Sequence, residues 1–303
     1  MLMLIQFAGI LAVLITSPLI WGLTQTVKAR LQGRHGPSVW QMYRVIAKNW
    51  RKDTTAPEFS SWIFRLAPSV SLAALLAVLT SIPLSGKSPA GWPHDILTVF
   101  FLLALERFWM SLAGLDSSGT FGGLGASRTS TIGTGIEPAM LAAFGVMWRL
   151  HGNSSIIPLA PILIRAPNGA VAWGFAACSF VMIMLAELGR LPVDNPDTHL
   201  ELTMVHEATI LEANGRLLAL SQAAMTLKFS IIMALGWTIL GPHTASPWLN
   251  LAFLVVELPA TSVILGWIES RFTKLRYFQL PTYLSIAAGV GMLGFIFLGG
   301  SNL

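Results

Sequence analysis

The 303-residue chain holds a single cysteine, Cys178. One thiol cannot close a disulfide within the chain, hold an iron–sulfur cluster or complete a Cys-rich zinc site, so any redox centre the chain works with must belong to another polypeptide. Charge is scarce as well: Asp, Glu, Lys and Arg make up 11% of the residues, less than half the roughly 25% usual in soluble domains. With 54% hydrophobic residues, a mean hydropathy of +0.66 and repeated apolar runs of 18 or more residues, the chain reads as an all-α polytopic membrane protein, because helices satisfy their own backbone groups in lipid. An inverted internal repeat is also missing, since the basic 24–62 stretch does not resemble the acidic 189–216 stretch. This argues against an autonomous secondary ion transporter.

What is present is a series of eight predicted spans, at 3–23, 63–84, 95–114, 131–150, 170–188, 217–240, 248–268 and 281–300. They leave no room for a soluble domain, so 1–303 is read as one integral membrane domain. The first span lacks a basic leader and a small-residue cleavage site before Trp21 and is read as retained. Lys28, Arg30, Arg34, Arg44, Lys48, Arg51, Lys52, Arg128, Arg190, Arg216, Arg271, Lys274 and Arg276 all follow odd-numbered spans. The positive-inside rule then places both termini outside and the 24–62 and 189–216 loops in the cytoplasm. The net charge of +5 is thus mostly topology, and no nucleic-acid partner is expected. Within 24–62, Val39, Met42, Val45, Ile46 and Trp50 share one helical face, which predicts an amphipathic surface helix. QGRHGP, with Gly33, Gly36 and Pro37, supplies the turn before it.

Several charges fall inside the spans: Glu106, Arg107, Glu137, Glu187, Lys228 and Glu257. A charge at mid-membrane costs at least about 2.5–3.5 kcal/mol, so these side chains should face a polar interior. Two arrangements are open at this stage. The residues form ion pairs, such as Lys228 with Glu257 or Glu187 with Arg190, or they line a hydrated proton or cation path. Pro138 and Pro259 next to the acids, and Gly133 and Gly135 in the same region, favour room for water.

Six of the 14 acidic residues, Glu187, Asp194, Asp197, Glu201, Glu207 and Glu212, crowd into 187–216. Pro192 and Pro196 break any helix there, and Thr198 with Glu201 has capping-box spacing. His199, His206 and Glu207 suggest a metal, but HEATI lacks the second histidine that zinc-protease spacing requires, so no metal site is expected. Clustered carboxylates raise one another's proton affinity, as groups exchanging protons near neutral pH require.

Three blocks carry a resemblance to a known family: QGRHGP before an amphipathic helix, GASR before Glu137-Pro138, and AELGRLPVDNPDTHLEL before LEANG. Together with the eight spans they resemble subunit 1 of respiratory complex I, and LDSSGTFGGLGASR and IEPAM are similar to its branch in group 4 membrane-bound nickel–iron hydrogenases, including formate hydrogenlyase subunit 4. The resemblance implies a non-catalytic membrane subunit that docks a hydrogenase module and couples electron transfer to proton or sodium movement. It implies ion-path positions at Glu137, Glu187, Asp194, Asp197, Glu201 and Glu212, to which Glu106, Glu207, Lys228 and Glu257 are added from their placement. Docking positions are expected at Gly33, Arg34, Gly36, Pro37, Arg128 and Arg190. The implied partners are hydrogenase large and small subunits, antiporter-like membrane subunits and the bilayer of a prokaryotic inner membrane. The nickel–iron site and iron–sulfur clusters would lie in those partners, with no cofactor in this chain. Val193, His199 and the longer TMVHEATI stretch depart from quinone-reducing members, whose quinone-binding role is the alternative expectation.

Overall fold

A computed structural model describes residues 1–86, 89, 94–152, 154–156, 168–194, 205–241, 243–244 and 246–299. Asp197, His199 and Glu201 lie outside the described residues. The elements, in order, are α1 (Leu2–Leu31), α2 (Gln41–Trp50), α3 (Trp62–Ser81), α4 (Ile96–Asp116), α5 (Thr120–His151), α6 (Gly169–Glu187), the short α7 (His206–Thr209), α8 (Gly215–Leu240), α9 (Pro247–Arg271), a 3₁₀ turn at Tyr277–Gln279 and α10 (Leu280–Gly299). Seven of these segments are long and apolar enough to cross a membrane. The remaining expected span falls inside α5, a 32-residue helix whose glycines, threonines and Glu137 dilute its apolarity.

The hydrophobic spans order themselves around α8, which packs against α1, α2, α3, α6 and α9. α8 is the most enclosed of the candidate spans, with 67% of its apolar window inside the protein. Its polar side chains therefore meet protein instead of lipid. α3 pairs with α4, and α5 packs against α4, α6 and α10. Where α1 meets α9 the contact is close and polar: Thr24 Oγ1 lies 2.7 Å from Ser262 Oγ, and Ser262 donates to the Ile20 carbonyl at 3.0 Å.

α1 runs well past the expected end at 23, to Leu31, where Gly33 takes a left-handed φ of +72° that ends the helix. The chain then folds back along α1. Thr26 Oγ1 donates to the Pro37 carbonyl at 2.8 Å, and a Cβ on Gly22 would sit 2.2 Å from the Val39 oxygen, so only glycine admits this approach. The amphipathic α2 is observed where it was expected, tied to α8 by Asn49 Nδ2 donating to Gln222 Oε1 at 2.9 Å. Asp116, at the end of α4, accepts from the Ser61 and Phe64 amides at 2.8 and 2.9 Å and fixes the start of α3.

Candidate functional site

α6 ends at Glu187, and the backbone that follows is irregular yet buried: Gly189 has φ +56°, Arg190 is 0% exposed and Asp194 4%. Irregular backbone survives at such depth only where protein or a polar cavity satisfies it. Here the Arg190 carbonyl accepts from the Val193 and Asp194 amides at 2.8 and 3.1 Å.

The turn delivers Glu187 into a chain of charges drawn from four helices. Glu187 Oε2 lies 3.3 Å from Arg107 Nη2, and Glu187 Oε1 lies 2.8 Å from Lys228 Nζ. Lys228 Nζ also donates to Glu106 Oε2 at 2.7 Å, while Ser71 Oγ donates to Glu106 Oε1 at 3.1 Å. At the other end Arg107 Nη1 stands 3.7 Å from Glu137 Oε1, whose side chain is 45% exposed. Glu106 is ten residues from the end of α4 and Lys228 thirteen from the start of α8, which is about 15 and 20 Å of helix at 1.5 Å per residue. The network therefore sits at mid-membrane depth. Gly133 makes room for it, since a Cβ there would come 2.8 Å from Arg107 Nη1.

A cavity of about 70 Å³ adjoins these groups, bordered by Glu106, Arg107, Glu187, Asp194, His206 and Lys228. At about 30 Å³ per molecule it accommodates a few waters. Buried Thr129 Oγ1 and Arg107 Nε have no protein partner among the described residues, and both residues line the cavity, so its wall is suited to hydration. On the basic side lies an open vestibule of about 500 Å³, lined by Gln25, Lys28, Arg34, His35, Glu207 and Gln222. Trp21 and Met225 border both spaces and stand between them.

A second buried cluster flanks Trp21. Glu269 binds Arg190 Nη1 at 3.0 Å and Lys28 Nζ at 3.1 Å, and the Arg190 guanidinium lies 3.8 Å over the Trp21 ring and 4.6 Å over Phe229. Asp194 meets Lys274 Nζ at 2.5 Å. Arg190 was expected as a docking residue beside Glu187. The structure corrects this: its side chain is wholly enclosed and pairs with Glu269 of α9 instead of Glu187, so the guanidinium presents no surface of its own. Because its neighbours are buried and ionic, Arg190→Met is expected to cost about 3–5 kcal/mol. Thermal denaturation of the detergent-solubilised protein would register it, and an unchanged midpoint would contradict the assigned pairing.

The pairing of Lys228 with Glu257 is likewise corrected. Lys228 faces Glu106 and Glu187, whereas Glu257 lies beside Trp237, Thr238, Asn250 and His243, and burial pushes the His243 imidazole to a lower pKa. Of the expected path residues, Glu106, Glu137, Glu187 and Lys228 join one network, Asp194 borders the same cavity, and Glu207 lies across Trp21 in the vestibule. Glu212 is exposed beside Gly119, apart from them. Of the docking residues, Gly33, Arg34 and Pro37 are exposed, Gly36 is half-buried against Thr26 and Ala29, and Arg128 is half-buried with its guanidinium 6.0 Å over Tyr277. Glu269 was not expected at a site, and Lys28 entered only as a topology signal. One cue was available: Trp21 and Lys28 are seven apart and share a helix face.

This arrangement has relatives. The chain is 32% identical over 263 residues to hydrogenase-4 component C of Escherichia coli (strain K12), covering 86% of this chain and 82% of that protein. It is 28% identical over 291 residues to formate hydrogenlyase subunit 4 of the same organism, covering 93% and 94%. It is 25% identical over 296 residues to a subunit of an NADH-quinone oxidoreductase of Syntrophobacter fumaroxidans, covering 88% and 85%. Among solved structures, a chain of the membrane-bound sulfane sulfur reductase, an archaeal respiratory membrane complex, has the same fold, with a TM-score of 0.81 at 20% identity over 96% of this chain and 98% of that one. The family model described as NADH dehydrogenase matches residues 3–300, and the chain belongs to the NADH dehydrogenase subunit 1 family.

Proposed function

We propose that this chain is the membrane-anchoring and ion-coupling subunit of an energy-converting hydrogenase complex of the formate hydrogenlyase kind. The observation that carries the coupling role is the mid-membrane chain Glu137–Arg107–Glu187–Lys228–Glu106 beside a cavity sized for water. Two cations shared among three carboxylates leave an acid that can gain or lose a proton while its neighbours re-pair, and such a set at membrane depth is a functional site by default. The basic end would face the cytoplasm of a prokaryotic inner membrane. There the 33–37 turn, α2 and the 49–55 and 214–222 segments form one surface on which soluble subunits carrying the nickel–iron site and iron–sulfur clusters would dock. Asn214 Nδ2 donating to Thr55 Oγ1 at 3.0 Å, and Gly215 packed against the Asp53 carbonyl, hold that surface together.

Sealed inside-out vesicles carrying the whole complex test the proposal. Hydrogen turnover should build an ion gradient that an ionophore collapses, and turnover without any gradient would overturn the coupling role. The docking role has its own test. A Cβ at Gly36 would stand 3.0–3.1 Å from Ala29 Cβ and Thr26, so Gly36→Val should lift the turn from α1 and reduce retention of the hydrogenase module on membranes several-fold while the spans still insert. Full hydrogenase activity in the mutant membrane pellet would contradict it. One observation favours the second reading, quinone binding: the vestibule's volume lies within the roughly 300–1,000 Å³ of small-molecule sites. A quinone analogue that protects Arg34 and Glu207 from chemical modification would support that role.

A further inference from the structure

On the other side of α2 from the vestibule a different space opens, with other chemistry. It is a groove of about 440 Å³ between α1, α2, α3 and α8, and its walls are almost entirely apolar. Small side chains leave the gap: Ser17 on α1, Ala47 on α2, Ala223 on α8. A proline, Pro18 of α1, lies in its wall. Pro18 cannot donate to the Leu14 carbonyl and disturbs the one beside it. Ser17 Oγ donates to Leu14 O at 3.1 Å, and Tyr43, reaching across from α2, donates to Ile15 O, so α2 is tied to α1 beside Pro18.

The groove has length and direction. Leu72 and Leu76 line it from positions ten and fourteen residues into α3, which is about 15 and 21 Å of helix. Trp50 and Arg51, the last residue of the amphipathic α2 and the one after it, line its exposed rim. A narrow apolar slot that runs down into the hydrocarbon layer from a tryptophan and a guanidinium matches one molecule by shape, an acyl chain below a headgroup. The charge at the mouth selects the headgroup. Residues 41–52 contain Arg44, Lys48, Arg51 and Lys52 and no acid, and Arg44, Lys48 and Arg51 fall at i, i+4 and i+7, one stripe leading to the mouth.

We infer that this groove is a binding site for one anionic phospholipid, its acyl chain between Leu14, Ala47 and Leu76 and its phosphate on Arg51. The site is built from groups that the ion network does not use and does not rest on the coupling role. Bound there, the lipid would fill the space between α2 and the bundle, so the bilayer itself would help hold the docking surface in place.

The test is native mass spectrometry of the full-length chain, delipidated in detergent and offered equal amounts of phosphatidylglycerol and phosphatidylcholine. The wild type should retain one phosphatidylglycerol with roughly tenfold preference, about the value of one charge-assisted contact. Arg51→Gln, at an exposed position that leaves the fold alone, should bind both lipids alike. Ala47→Phe should fill the slot and retain neither. Equal retention of both lipids by the wild type, undiminished preference in Arg51→Gln, or displacement of the phospholipid by a neutral isoprenoid would each overturn the assignment. So would a crosslink placing a partner's helix against position 47 in the assembled complex.

Discussion

Lys228→Met is expected to cost about 3–5 kcal/mol and to strip most of the subunit from detergent-extracted complexes. The reason is a count of charges. Glu106, Glu137 and Glu187 share Arg107 and Lys228, and without the lysine three carboxylates face one guanidinium, with Glu106 left only the Ser71 hydroxyl. A second substitution separates assembly from conduction. Lys228→Met with Glu106→Gln leaves Glu137 and Glu187 about Arg107 and should restore much of the yield, whereas Lys228→Met with Glu257→Gln should not, because Glu257 touches none of these groups. The rescued variant should still move no ions, since neither Met nor Gln carries a proton across the bilayer centre. Ion movement regained together with yield would reveal a purely structural pair, and rescue by the Glu257 change would refute the network itself.

Glu187→Gln should have the opposite profile, with little loss of protein and a large loss of coupling. Glu187 bridges the two cations, and its removal leaves Arg107 with Glu137 and Lys228 with Glu106, one carboxylate for each cation. Assembly should therefore stay near the wild-type level. Proton exchange through the bridge should stop, and ion movement per hydrogen turned over should fall by about a hundredfold or more, the low end of what removing a positioned proton-transfer group costs. Glu187→Asp keeps a titrating group one methylene short and should fall between the two. Parallel measurements of hydrogen turnover and vesicle acidification check it, and a Gln variant with both at wild-type levels would remove Glu187 from the path.

Both experiments turn on partners that no local pattern reveals. Glu187 and Arg190 are three apart, the spacing of a helical ion pair, yet α6 stops at Glu187 and the turn through Gly189 sends the two side chains to different clusters. The exposed amphipathic helix was easy to anticipate because α2 has a polar face and an apolar face. The bundle helices are apolar nearly all round, so their sequences do not say which face turns inward. Lys228 and Glu257 lie on adjoining helices, but Glu257 packs at the level of Trp237 and Thr238, nine and ten residues along α8 from Lys228 and so about 14–15 Å away along the axis, and the lysine meets α4 and α6 instead.

Composition and hydropathy were enough to establish the class of molecule, about eight candidate spans, the basic end, the surface helix, and the presence of charges in the membrane that had to be neutralised. These follow from the energy of placing backbone and charge in lipid, which acts residue by residue. Which charge meets which was settled only when the helices packed. Packing also brought Lys28 and Glu269 together from the two ends of the chain to hold Arg190, and left a groove under α2 where small side chains and a proline coincide. Those outcomes depend on helix rotation and on contacts between residues as remote in sequence as Lys28 and Glu269, 241 positions apart. Side-chain packing of the whole bundle sets them, and no single segment contains that information.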